Sequence, residues 1–167
     1  MSELQIKQGA SQPLIQSVSL QGFLFQTSKE LDIPEIPEDV TELDDNGLMH
    51  LFAKLTAYSN SLSAQLACAF IDERNAENSL EFEESLSYID SSSAGKKETV
   101  ALIKARIKTD PKVMRLQAEF SEKYAYRKII EVMTNNVEKD TALISRELSR
   151  RIGGQSATTR GNNRLFA

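Results

Sequence analysis

Between Pro37 and Pro111 the chain contains no proline, and inside that window Leu48, Leu51, Leu55, Tyr58 and Leu62 recur three or four residues apart. This spacing keeps an apolar seam on one face of an α-helix. Leu66, Ala69, Ala76 and Leu80 continue the seam after an extra step of four, a stutter in the repeat. The pattern predicts one helix from about residue 45 to about residue 89, opened by the cap candidates Asp44, Asp45 and Asn46. A helix of that length has to fold back on other helices or pack between subunits, because burial of its apolar face supplies most of its stability. Leu48, Leu51, Leu55, Tyr58 and Leu62 are therefore candidates for an oligomer interface, and sequence leaves open whether they pair within or between chains.

The segment before this helix reads differently. Pro13, Pro34 and Pro37 interrupt residues 1–44, and the residue ahead of each proline is pushed toward extended backbone. The expectation is an extended N-terminal arm. Its apolar residues, among them Val18, Leu20, Phe23, Leu24 and Phe25, are too many for a solvated tail, so the arm is expected to dock, with a short strand as one form of docking. Val18, Leu20, Phe23 and Phe25 join the interface candidates.

After the long helix, the run from Asp90 to Gly95 reads as a turn. A short helix should follow from about Lys96, with Val100, Ile103 and Ile107 on one face. Asp110 and Pro111 then suit the cap and first turn of a new helix. From there Val113, Leu116, Phe120, Tyr124, Ile130, Met133, Val137, Ile144, Leu148 and Ile152 follow mostly helical spacing until Gly153 and Gly154, where the helix is expected to stop. Residues 153–167 read as a flexible tail. The whole is expected to be all-α: a long helical hairpin with a short middle helix over residues 45–152, an extended N-terminal arm and a flexible C-terminal tail.

Composition removes several classes. With 7 Gly, 4 Pro and one cysteine in 167 residues, the chain is neither collagen-like nor disulfide-rich, and 40% hydrophobic residues argue against wholesale disorder. No apolar run is long enough for a membrane span and the N-terminus lacks the layout of a secretory signal, so no membrane association is expected. Cys68 and His50, the single residues of their kinds, are too few for a four-ligand zinc site. Cys68 lies in an apolar run and reads as a buried thiol; His50 reads as a surface or interface residue. The carboxylates Asp72, Glu73, Glu77, Glu81, Glu83 and Glu84 lack the Glu-x-x-His motifs of a di-metal bundle and read as a solvated or partner-facing acidic face. No phosphate-cradling or nucleophile motif occurs. The expectation is a non-enzymatic protein with no cofactor and no metal.

Charge is the most unusual feature. Residues 1–94 hold 4 Lys/Arg against 16 Asp/Glu, a balance of -12, whereas residues 95–167 hold 16 against 8, a balance of +8; the two add to the net -4. Such a dipole predicts a polyanion partner for the basic half or acid-to-base contact between subunits. Lys104, Lys108, Lys112 and Arg115 would form one basic stripe if helix continues through Pro111, with Lys123, Arg127 and Lys128 further on and Arg146, Arg150 and Arg151 beyond. Like charges four apart repel unless an anion or acidic neighbour compensates. Glu119, Glu122, Glu131 and Glu147 can do so within the helix. The other compensator is single-stranded DNA, which needs a cationic track and aromatic platforms, a role for which Tyr126 is the candidate.

This layout, with Thr109-Asp110-Pro111-Lys112-Val113 between helices and Tyr124-Ala125-Tyr126-Arg127-Lys128 on the last, resembles small helical proteins of tailed bacteriophages. Within that group it is most similar in architecture to the UvsY-type recombination mediators, over about residues 45–152. The resemblance implies a ring-forming, non-enzymatic protein that binds single-stranded DNA and helps load a recombinase. Lys104, Arg106, Lys108 and Lys112 are the phosphate contacts it implies. The apolar arm departs from a minimal mediator and suits a virion component that wraps a neighbour. Two expectations follow: an oligomeric accessory factor holding single-stranded DNA in the host cytoplasm, or a structural or assembly protein of the phage particle that contacts other phage proteins.

Overall fold

A computed structural model describes residues 10–21, 33–93 and 99–162, with the side chains of the last helix described as far as Gly154. The fold is all-α. Helices α1 (Ser11–Leu20), α2 (Asp45–Ser93), α3 (Val100–Lys108) and α4 (Pro111–Asn162) follow one another, with a single 3-10 turn at Val40–Glu42, and the described residues hold no strand. The chain divides into two compact units, one formed by Met1–Phe25 and Gln65–Glu131, the other by Gln26–Ala64 and Val132–Ala167. Two of the dividing points, after Ala64 and after Glu131, fall inside α2 and α4.

In the second of these units, Leu48, Leu51, Leu55, Tyr58 and Leu62 of α2 are buried against Val137 and Ile144 of α4, with Phe52, Met133 and Leu148 packed around them. The heptad seam is filled within this chain, where Leu48, Leu55 and Ile144 are almost fully enclosed. Ile36, Val40 and Leu43, which precede α2, pack on the same core. Asp44 caps α2, its carboxylate accepting the Gly47 N–H at 2.7 Å and its carbonyl the Leu48 N–H at 2.9 Å. A Cβ on Gly47 would lie 2.8 Å from that carboxylate oxygen, so glycine there preserves the cap.

In the first unit, Leu80 of α2, Ile103 and Ile107 of α3 and Val113 of α4 form the core, with Leu116 and Phe120 against it. The restart expected at Pro111 is present: α3 ends at Lys108, and Asp110 caps α4 by accepting the Lys112 N–H at 2.7 Å.

Three local expectations are corrected. Residues 11–20 form a helix and neither an extended arm nor a strand, because Pro13 occupies the first helical turn, where its missing N–H has no intrahelical partner to lose. The serine run does not end α2 at about residue 89. Ser85 and Ser92 hydroxyls donate to the carbonyls of Glu81 and Tyr88 four residues back, which absorbs the polar group without breaking the helix. Gly153 and Gly154 do not stop α4, which continues to Asn162; glycine weakens a helix without forbidding it. Phe23, Leu24, Phe25 and residues 163–167 lie outside the described residues.

Candidate functional site

The cationic residues separate into two sets. Arg127, Lys128, Lys112, Arg150 and Arg151 are held by carboxylates of their own chain. The Arg127 side chain, 15% exposed, pairs with Glu73 of α2 and with Glu131, and its guanidinium lies 5.9 Å from the Phe70 ring centre and 5.4 Å from that of Tyr124. The Glu73 bond raises the Arg127 pKa further above its ordinary value. Lys128 joins Glu131 at 3.0 Å and lowers that carboxyl's pKa, while Lys112 reaches Glu83 of α2 at 2.6 Å. Arg127 and Lys112 thereby tie α4 to α2, whereas Lys128 pairs within α4.

In the other unit Arg151 makes such a link, while Arg150 pairs within α4. Both donate to Glu147, whose side chain is 8% exposed and whose pKa is lowered to about 2, first by the Arg150 hydrogen bond and then by that of Arg151. Arg151 also donates to the Leu43 carbonyl at 2.8 Å, the Thr41 carbonyl at 3.0 Å and Asp45 at 2.9 Å. It clamps the segment ahead of α2 onto α4.

The second set is exposed. Among the described residues, no ion pair engages Lys104, Lys108, Arg115 or Arg146, nor the half-buried Lys123. Arg106, also on the surface, donates to the Ser91 hydroxyl at 2.9 Å. Helix α3 therefore presents three cations and no acid of its own. A groove of about 710 Å³ is lined by Glu81, Glu84, Tyr88 and Ile89 of α2 on one side and by Lys104, Ile107 and Lys108 of α3 on the other.

Both candidate aromatic platforms lie on α4 and are partly exposed, Tyr124 by 45% and Tyr126 by 44%. Tyr124 packs on Phe120 at 6.3 Å between ring centres and under Arg127. Burial raises the Tyr126 pKa, and the nearby Cys68 and Asp72 add to the rise. Cys68 is half-buried and its own pKa is raised by burial and by Asp72, against a lowering hydrogen bond from Ser11. Asp72 accepts the Ser11 N–H at 3.0 Å and so holds the start of α1 on α2. Of the N-terminal interface candidates, Val18 is half-buried and Leu20 is 89% exposed.

Sequence reasoning missed an apolar stripe. Phe82, Leu86 and Ile89 lie on the side of α2 away from Leu80 and are exposed, Phe82 by 65% and Ile89 by 60%. Their i, i+4, i+7 spacing was visible in the sequence. His50 is exposed and borders a second open hollow with Ile33, Pro34, Ile36 and Lys54. Among the described residues no three His, Cys, Asp or Glu side chains are grouped to hold a metal ion, and no helix is long and apolar enough to cross a membrane. Comparison with protein families, curated proteins and solved structures finds no match for this chain.

Proposed function

We propose that this chain is a non-enzymatic helical assembly protein that works by contact with other protein subunits. The observation that carries this reading is the exposed stripe Phe82, Leu86 and Ile89: three large apolar side chains on one helix face, bordered by Glu81 and Ser85, have the character of an unfilled protein contact. The pairing of Arg127 and Arg151 with carboxylates of their own chain supports it by reducing the charge that the cationic track offers to a polyanion. A structural role in a phage particle, the alternative that the apolar N-terminal segment suggests, is the setting for this reading. The test is solution mass by light scattering: the native chain is expected well above its 18.7 kDa, and Phe82→Ser with Ile89→Ser is expected to lower that mass. An unchanged mass in the double variant defeats the reading.

A second reading, single-stranded DNA binding as in the UvsY-type mediators, is favoured by the unpaired Lys104 and Lys108 on a helix without acids. It relies on phosphate contacts and counterion release. Affinity for oligo-dT should then fall with log salt at a slope of about 0.7 per phosphate engaged, and absence of binding at low salt removes it.

A further inference from the structure

The groove between α2 and α3 carries both signs of charge, and neither sign is used. Glu81 and Glu84 form its acidic wall and Lys104 and Lys108 its basic wall, with Tyr88 and Ile89 on the acidic side. Among the described residues none of these four charged side chains is in an ion pair, although Glu83, on the same turn as both acids, is already joined to Lys112. The unpaired charges therefore do not reflect a lack of opposite charge nearby.

A surface with an acidic wall beside a basic one has a particular complement. A partner of one sign satisfies one wall and is repelled by the other, so a polyanion such as single-stranded DNA meets Glu81 and Glu84 on entering. A two-fold rotation, by contrast, lays each acidic wall on the basic wall of a second copy and satisfies both at once. Water is then displaced from the groove's Tyr88 and Ile89.

We propose that two copies of this chain pair face to face through this groove, Glu81 and Glu84 of one against Lys104 and Lys108 of the other. The pairing rests on the assembly reading above and names its first partner.

Charge exchange tests it on the full chain. One variant carries Glu81→Lys and Glu84→Lys, the other Lys104→Glu and Lys108→Glu; all four positions are on helix surfaces, and far-ultraviolet circular dichroism checks that each variant folds. Sedimentation equilibrium should give the native chain twice its 18.7 kDa, and each variant alone should self-associate at least about tenfold more weakly. An equimolar mixture of the two variants should regain the doubled mass, since every wall then faces its opposite. Variants that self-associate as the native chain does overturn the groove pairing and leave assembly through the Phe82 stripe standing. A mixture that fails to regain the mass overturns the pairing also, and a native chain that stays monomeric removes both. A dT30 oligonucleotide that binds the Glu81→Lys, Glu84→Lys variant more tightly than the native chain, with no doubled native mass in its absence, assigns the groove to nucleic acid and overturns the proposal. Should a variant not fold, the native mass itself decides: it should fall between about 0.05 and 0.5 M salt, and salt-independent mass overturns the pairing.

Discussion

Arg127 grips Glu73 across 54 residues of sequence with two parallel bonds, Nε and Nη2 each donating to one carboxylate oxygen, the second at 3.3 Å. Phe70 and Tyr124 flank the guanidinium, which shields the pair from water and strengthens it beyond an exposed ion pair. Removing Arg127 should leave Glu73 half-buried and without its partner, whereas removing Glu73 leaves Arg127 with Glu131 alone. Arg127→Ala is expected to lower the urea midpoint clearly more than Arg115→Ala, and a double-mutant cycle with Glu73→Gln should return a favourable coupling. A coupling near zero would show that the pair is only tolerated.

Glu147 predicts an acid-sensitive clamp. Its folded pKa of about 2 lies below the ordinary 4.5, so its contribution to stability is fully present above about pH 4.5 and is lost as pH falls through about 2. Glu147→Gln should reduce stability at neutral pH and flatten the acid limb of a stability-versus-pH curve between those values. An acid limb identical to that of the native chain would count against it.

The core supplies the largest single effects. Leu55→Ala or Ile144→Ala removes an almost fully enclosed side chain and should cost about 2–5 kcal/mol by chemical denaturation, whereas Leu20→Ala, on an exposed residue, should fall within about 0.5 kcal/mol of native.

Gly153 and Gly154 should accept alanine. Nothing lies within 4 Å of the Cβ that either position would gain, and both are inside α4. Each substitution is expected to stabilise by about 0.5–1 kcal/mol, with a gain in ellipticity at 222 nm. A loss of stability would show that the glycines serve a contact.

Cys68 should react slowly. Burial and Asp72 hold its thiol above the ordinary pKa, so Ellman's reagent at neutral pH should modify it more slowly than a cysteine in an unfolded peptide. Asp72→Asn removes the negative charge that is one cause of that shift while keeping an oxygen to accept the Ser11 N–H, and should speed the reaction several-fold.

What sequence revealed and what it concealed follow from how far each interaction reaches. The Leu48 to Leu62 seam and the Asp110 and Pro111 restart are local patterns, and the folded chain contains both. Helix α1 was hidden because proline reads as a breaker without regard to position, yet in a first turn it breaks nothing. The glycine pair and the serine run misled for a related reason: they lower helix propensity, and a helix already bonded on one side can absorb the loss. The fate of the cations was not legible at all. Whether Arg127 faces solvent or Glu73, and whether Arg151 meets a phosphate or the Leu43 carbonyl, depends on residues 54 and 108 positions away. The α2 and α3 groove is likewise a product of two helices, although each of its walls was visible separately as an acidic and a basic stretch.

The division of α2 and α4 between two units also sets the order in which a chain leaving the ribosome completes its cores. Leu80, Ile103, Ile107, Val113 and Phe120 are all available once residue 120 has been made, so the later-starting core closes first. Leu48 to Leu62 are synthesised earlier but wait for Val137 and Ile144, leaving a nascent chain with a greasy face uncovered for most of its translation. Protection of that interval, by a chaperone or by rapid elongation, is a demand written into the arrangement of the helices.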